Sequence, residues 1–324
     1  MAVYTHITAS ELSELLSDFD LGQLKCFEGI DGGIENTNYF VDLEHEGKLG
    51  RYVLTIFEEL NDEELPFFVE LLHWLSDRNV PVPFGFEDRN GIALKRILKK
   101  SGILQPRFEG RILPKEELTP DHCAQIGTAL AELHIAGQDF YLKRQAHRGI
   151  FWWRQESGRV LSKLSEDEAA LLTNEVQNFE DLRNNHADEM PTGIIHGDLF
   201  LDNALFVGDK LSAILDLYNA ATAYLLFDLA IVANDWCTNP DGTIDQAREA
   251  ALLSAYNAKR PFVDIEHKAW PILTRTAAMR FWLSRLLPWH GLEGEDSNKK
   301  LKDPDELKAI LINRIESPAK LPSA

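Results

Sequence analysis

One stretch of the sequence concentrates residues that could do chemistry. It reads Ile194-Ile195-His196-Gly197-Asp198-Leu199-Phe200-Leu201-Asp202-Asn203-Ala204-Leu205-Phe206, followed by Ala213-Ile214-Leu215-Asp216. An apolar strand runs into a polar loop, and Asp198 and Asn203 lie in that loop, five residues apart. A second apolar strand follows, then a turn, then a third strand ending in Asp216. This succession is expected to place all three side chains at one end of a small sheet. Carboxylate and amide oxygens suit a hard cation such as Mg2+, which takes few protein ligands and keeps oxygens from phosphate and water. A loop Asp, an Asn five residues on and a downstream Asp is also the spacing of phosphoryl-transfer sites. A polar loop after a strand is usually an ordinary turn. Here the apolar flanks and the strand-end Asp216 favour chemistry.

The elements that must position these residues fall into two regions. Thr8 and Glu11 have capping-box spacing at the start of a helix over 7–18. Residues 38–43 and 51–57 alternate as strands around a turn at 45–50, which predicts an antiparallel hairpin. Pro66 fits the first turn of a helix running to about Asp77. Residues 80–94 hold two further strand candidates around a turn at Asp88–Gly91. From Thr119 onward helical periodicity dominates, with Ile126, Leu130, Leu133 and His134 on one face of a helix over 119–137. Further helices are expected over 165–188, 244–258, 267–287 and 303–316. The expected architecture is α+β: an antiparallel-sheet lobe over 1–107 and a larger, mostly helical lobe over 108–324.

Composition limits the function classes. The chain has 324 residues and a formal net charge of -19. Such a surface repels nucleic acid and anionic membranes, so neither is expected as a partner. Any bound polyphosphate would need local donors and metal ions. Cys26, Cys123 and Cys237 are scattered, with neither disulfide-framework nor zinc spacing, and read as reduced cytoplasmic thiols. The first twenty residues show no basic start and no continuous apolar run, so a secretory leader is not expected. No stretch reaches the roughly 20 apolar residues of a membrane span.

His196-Gly197-Asp198, with Asn203 and Asp216, resembles the aminoglycoside-phosphotransferase-like family of small-molecule kinases, which has a bilobal protein-kinase-like fold. The resemblance implies that Asp198 is the catalytic base, that Asn203 and Asp216 bind Mg2+, and that ATP is the phosphoryl donor. It also implies that His196 braces the loop and that Asp228 steadies it. Gly32-Gly33-Ile34-Glu35-Asn36-Thr37-Asn38-Tyr39 resembles the loop that covers the nucleotide, through Gly32, Gly33, Asn36, Thr37 and Asn38. Glycines there let backbone N–H groups approach phosphate. Residues 103–110 resemble the family hinge, where backbone groups around Gln105 and Arg107 would read adenine. One position departs from the pattern: Thr55 stands where the family normally has a third-strand Lys.

Three further segments resemble the homoserine kinase branch of that family: 148–153, 232–237 and 277–286. The resemblance covers nearly the whole chain and implies phosphorylation of the homoserine side-chain hydroxyl. An amino-acid alcohol needs a guanidinium for its carboxylate and an acid for its ammonium. Arg280 and Asp235 are the candidates. A kinase for choline, ethanolamine, methylthioribose or an aminoglycoside remains an alternative, as does nucleotide binding without transfer.

Overall fold

The computed structural model describes residues 3–30, 36–292 and 301–322. Two compact units emerge: Met1–Glu109 with Ala213–Leu215, and Gly110–Ser212 with Asp216–Ala324. The expected boundary at 107/108 falls two residues before this division, and the return of Ala213–Leu215 to the first unit was not anticipated.

The first unit opens with helix α1 (Ala9–Leu16). Its N-terminus is closed by the capping box, in which Thr8 N–H donates to the Glu11 carboxylate at 2.7 Å and Glu11 N–H to the Thr8 hydroxyl at 3.3 Å. Strands β1 (Gln23–Gly29), β2 (Asn36–His45) and β3 (Lys48–Phe57) follow, then helix α2 (Leu65–Ser76) and strands β4 (Lys95–Ile97) and β5 (Lys100–Pro106). The five strands form one antiparallel sheet in the order β1-β2-β3-β5-β4. Strand alternation sorts its two faces. Tyr39, Val41, Leu43, Leu54, Ile56 and Leu104 pack with Leu12, Leu15 and Leu16 of α1 into an apolar core. Each such side chain contributes about 1.5–3 kcal/mol by leaving water. The other face carries Asn38, Phe40, Val53, Thr55 and Gln105. The register sets Asn38 against Thr55, and Phe40 and Gln105 on either side of Val53.

The strands expected within 80–94 do not form. Pro81 and Pro83 have no N–H to give a ladder. The segment instead makes isolated bonds, from Phe86 N to Leu104 O at 2.7 Å and from Asp88 N to Ile92 O at 3.0 Å. The Asp88 carboxylate closes the turn by accepting from Asn90 N and Ile92 N. Pairing begins later, at β4 and β5.

The second unit contains helices α3 (Pro120–Gly137), α4 (Ile150–Val160) and α5 (Glu166–His186), and then strands β6 (Thr192–Ile195), β7 (Ala204–Val207) and β9 (Ala221–Tyr224); strand β8 (Lys210–Ile214) begins in the second unit and its last two residues belong to the first. Helices α6 (Leu225–Trp236), α7 (Gln246–Lys259), α8 (Asp264–Trp289) and α9 (Asp305–Glu316) complete it. Helices α3 and α7 approach closely at Gly127, where a β-carbon would lie 2.5 Å from Leu252 O. Trp236, Trp270 and Trp282 are fully buried and anchor the packing of α6 and α8.

The single small sheet expected around the polar loop is two separate ribbons, β6 with β9 and β7 with β8. The cause lies in edge partners. β6 pairs with Ala221–Tyr224, which was not read as a strand. Phe206 in β7 exchanges both backbone hydrogen bonds with Arg111, at 2.9 Å each. The third strand ends at Ile214, two residues before Asp216.

Candidate active site

Asp198 follows β6 in a loop braced through its own backbone. Gly197 has φ +79°, and a β-carbon there would lie 2.8 Å from Asn219 O, so only glycine fits without strain. That close approach seats the turn Leu217–Asn219, which follows Asp216, against the Asp198 loop. Asp216 is left-handed (φ +59°), a conformation that Asp tolerates better than most residues.

The brace comes from α6. Asp228 is fully buried and accepts from His196 N at 2.7 Å and Gly197 N at 2.9 Å. His134 Nε2, on α3, lies 3.1 Å from the same carboxylate, and His134 Nδ1 lies 2.7 Å from the Tyr256 hydroxyl of α7. Burial pushes the Asp228 carboxyl up, but the His134 hydrogen bond and charge outweigh it and hold the group below its ordinary value. Asp198 N–H donates to His196 Nδ1 at 3.2 Å, so His196 supports the loop from within.

Further along, Leu201 N–H donates to Asp235 at 2.7 Å and Trp236 Nε1–H donates to Leu199 O at 3.3 Å. Asn203 Nδ2–H donates to Asp198 O at 2.8 Å, which leaves its amide oxygen as the atom a cation would use. Among the described residues no group of three or more His, Cys, Asp or Glu gathers in metal-binding geometry. An Asp–Asn pair nevertheless fits Mg2+, which uses few protein ligands beside phosphate oxygens.

Arg280 of α8 is buried, and its guanidinium lies 3.9 Å from Asp198 Oδ1 and 3.7 Å from the Phe281 ring centroid. Phe281 in turn packs edge-on against Phe200 of the loop. Beyond these rings lies a cavity of about 760 Å³, lined by Phe200, Asp235, Phe281, Lys115 and Arg285 among others. Lys115 Nζ stands 3.8 Å from Asp235. Burial raises the Asp235 carboxyl above its ordinary range, against the opposing pull of Lys115 and the Leu201 N–H.

The sequence of this chain matches the family of phosphotransferase enzymes over residues 27–262, which is most of its length. The chain belongs to that family. Among curated relatives, this phosphotransferase is 40% identical over 324 residues to a homoserine kinase of Pseudomonas aeruginosa, covering all of both chains. It is 42% identical to a homoserine kinase of Methylobacillus flagellatus over 315 residues, 97% of this chain and 96% of the relative. Solved structures of similar fold include an amicoumacin kinase bound to AMP-PNP, Ca2+ and Ami. That match has TM-score 0.67 at 13% identity and covers 96% of this chain and 93% of the other. Choline kinase from Cryptosporidium parvum matches with TM-score 0.65 at 16% identity, covering 95% of each chain. The fold is therefore the bilobal, protein-kinase-like α+β fold.

In this phosphotransferase the other expected residues are placed unevenly. Gly32 and Gly33 lie outside the described residues. Asn36 is buried at the start of β2. Thr37 is tied to the opposite face of the sheet from Asn38. Its hydroxyl accepts from Tyr4 N and Thr5 N and donates to Glu58 at 2.5 Å, so it anchors the N-terminal segment and is spent as a phosphate ligand. Thr55 lies 2.7 Å from Asn38 Oδ1 and 3.1 Å from Gln105 Oε1. Arg107 N–H donates to Arg51 O at 3.2 Å, and its guanidinium lies over the Phe40 ring. His134 and Tyr256 were not anticipated. The signal was present: a histidine on the apolar face of a helix must find a partner when buried.

Proposed function

We propose that this chain transfers the γ-phosphoryl group of ATP to the side-chain hydroxyl of L-homoserine. The observation that carries the reading is the pairing of Asp198, on a braced loop, with the buried Arg280 guanidinium at 3.9 Å. Standing side by side, the two groups can be met from one side by a short amino-acid alcohol, with its hydroxyl at Asp198 and its carboxylate at Arg280. The full-length similarity to homoserine kinases supports the same acceptor.

In this reading Asp198 orients the acceptor hydroxyl and takes its proton. The hydroxyl oxygen bonds to the γ-phosphorus as the bond to the β-phosphate oxygen breaks, and ADP leaves. Arg280 holds the carboxylate. Asp235, one oxygen of which serves Leu201, uses the other for the ammonium, in place of its distant Lys115 neighbour. Asn203 and Asp216 would hold Mg2+, which supplies positive charge against the phosphate oxygens. Asn38, Asn36 and Gln105 on the first unit serve the nucleotide, together with the Gly32–Gly33 segment. Thr55 supplies no charge there, so neutralisation rests on the metal and backbone donors. Positioning and charge neutralisation are the main sources of rate in phosphoryl transfer. A purely cationic acceptor such as choline would meet the Arg280 guanidinium and be repelled. Three free cysteines, two of them buried, suit a cytoplasmic location.

The test is ATP consumption over a panel of homoserine, choline, ethanolamine, methylthioribose and an aminoglycoside, in parent and in Asp198→Asn. Homoserine should be the preferred acceptor, and the variant should lose turnover while still binding nucleotide. A better rate on any other panel member, or variant turnover above about one tenth of the parent rate, overturns the assignment; the loss expected on removing a general base is about 100-fold or more.

A further inference from the structure

Four neighbouring strands of the first unit have their ends side by side: Gly29 closes β1, Thr37 is second in β2, Glu58 follows β3 and Lys100 opens β5. The N-terminal segment Val3–Thr5 meets each of them in turn. At Gly29 a β-carbon would lie 2.6 Å from Val3 Cγ2, so the missing side chain leaves room for Val3. Tyr4 N–H and Thr5 N–H donate to the Thr37 hydroxyl at 3.0 and 3.1 Å, and that hydroxyl donates to Glu58 Oε1 at 2.5 Å. The Thr5 hydroxyl donates to the same oxygen at 2.7 Å and accepts from the Lys100 ammonium at 2.9 Å. Lys100 also holds the second Glu58 oxygen. Tyr39 closes the set, since its hydroxyl donates to Thr5 O at 2.8 Å and accepts from Ile7 N at 3.3 Å.

Thr5, Thr37 and Tyr39 are all buried, so water is a poor substitute for a missing member. Burial pushes the Glu58 carboxyl up, but hydrogen bonds from Lys100, Thr37 and Thr5 outweigh it and hold the group below its ordinary value. The carboxylate therefore stays charged and gathers three donors. The Thr37 hydroxyl, with two backbone donors and one acceptor, is fully used. Strand alternation turns its neighbours Asn36 and Asn38 to the opposite face of the sheet. There Asn38 Oδ1 lies 2.7 Å from the Thr55 hydroxyl. The N-terminal segment thus grips the start of β2 from behind the face that carries the two amides.

We propose that Thr37 is a positioning residue for nucleotide binding: through it the N-terminal segment clamps the start of β2 from one face and so fixes Asn36 and Asn38 on the other. The inference rests on the reading of Asn36 and Asn38 as nucleotide contacts. Thr37 itself touches no nucleotide, because its hydroxyl is spent on the clamp. Without the clamp two side chains must be ordered when ATP binds, which weakens ATP about 10-fold. The acceptor's groups lie on the second unit, so the KM for homoserine should stay in place.

The experiment titrates Mg2+ with a non-hydrolysable ATP analogue into the parent, Thr37→Val, Thr37→Ser and a variant that keeps Met1 but lacks residues 2–5. A fifth protein combines that deletion with Thr37→Val, and the KM for homoserine is measured at saturating ATP. Thr37→Val and the deletion should each weaken the analogue about 10-fold, with the homoserine KM within twofold. Thr37→Ser keeps the hydroxyl and should bind within twofold of the parent. Both changes break the same contacts, so the combination should bind within about twofold of the weaker single variant. The proposal is overturned if Thr37→Val binds the analogue as the parent does, if Ser rescues no better than Val, or if the two losses multiply. Should Thr37→Val not fold, the deletion decides by the same threshold. A parent that fails to bind the analogue, or an Asn38→Ala variant that binds it as the parent does, would defeat the reading of this face as the nucleotide's and the proposal with it. A parent that binds and an unaffected Thr37→Val would defeat the proposal alone.

Discussion

Replacing Asp228 with Asn keeps the side chain's shape and removes one acceptor from a site that uses both. The carboxylate serves three donors, His196 N, Gly197 N and His134 Nε2, at 2.7, 2.9 and 3.1 Å. An amide has one oxygen. Placed toward His196 and His134, it leaves Gly197 N–H facing an NH2 group; reversed, it leaves His196 N–H facing one. Either way a buried backbone donor is orphaned and a charge-assisted bond is lost. A hydrogen bond to a charged group contributes about 1.5–3 kcal/mol, and an orphaned buried donor costs about 1–3 kcal/mol. These overlap, so the total is set at about 3 kcal/mol, a large share of the 5–15 kcal/mol typical of a folded domain. That corresponds to a fall in melting temperature of about 6–12 °C for a unit of this size. Differential scanning calorimetry with parallel kcat measurement checks it. A fall below about 2 °C with unchanged kcat would refute the claim that Asp228 carries the loop.

Arg280→Met should raise the KM for homoserine about 10- to 150-fold, the worth of a charge-assisted bond, with the KM for ATP unchanged. A lost melting temperature with both KM values steady would make Arg280 structural and pass the carboxylate to another cation. Asp216→Ala should weaken Mg2+-dependent ATP binding more than Asn203→Ala, because a carboxylate offers charge and an amide only a dipole; titration calorimetry of both variants tests the order. The Lys308 ammonium, with the Ser165 N–H and hydroxyl, holds the Glu168 carboxyl down at about 2. Its unfolded value is about 4.3, so the carboxylate stabilises the fold above that pH and the contribution fades as pH falls toward 2. Partial exposure limits it to about 1 kcal/mol. Urea unfolding should show Glu168→Gln weaker than parent at pH 7 and converging with it near pH 2, and a constant gap across that window would count against the pairing.

Three helices could be read closely from the sequence because each carries its own evidence of a start. Thr8 with Glu11, Thr119 before Pro120, and Ser165 with Glu168 mark starts that the structure places within a residue or two. The position of the 196–203 loop, between an apolar strand and a second one, was legible too, since residue type and spacing are local. What escaped were features decided by a distant partner. β9 is four residues long and exists because β6 lies beside it. Helix α6 was noticed only as an apolar run. The strands expected within 80–94 failed because two prolines remove donors, although the hydrophobic pattern had favoured them. Asp235 was assigned to an acceptor ammonium, and its service to Leu201 N, 34 residues away, has no sequence signature. Thr37 and Asn38 are adjacent in one motif, yet strand alternation sends them to opposite faces.

The three residues Ala213–Leu215 make the two units inseparable by any single cut. The chain leaves the first unit after Glu109, comes back at Ala213 and departs again at Asp216. Ile214 N–H donates to Pro81 O at 2.7 Å, a bond between residues more than a hundred positions apart within the same unit. A fragment ending at residue 109 would therefore lack the Ile214 N–H that Pro81 O receives. The complementary fragment would carry a short apolar tripeptide, Ala213-Ile214-Leu215, with no unit of its own to enter. During synthesis these three residues can join the first unit only once the ribosome has passed residue 215, two-thirds of the way along the polypeptide. Proteolytic nicking near residue 109 should accordingly release no free N-terminal piece, since the severed halves still share those three residues.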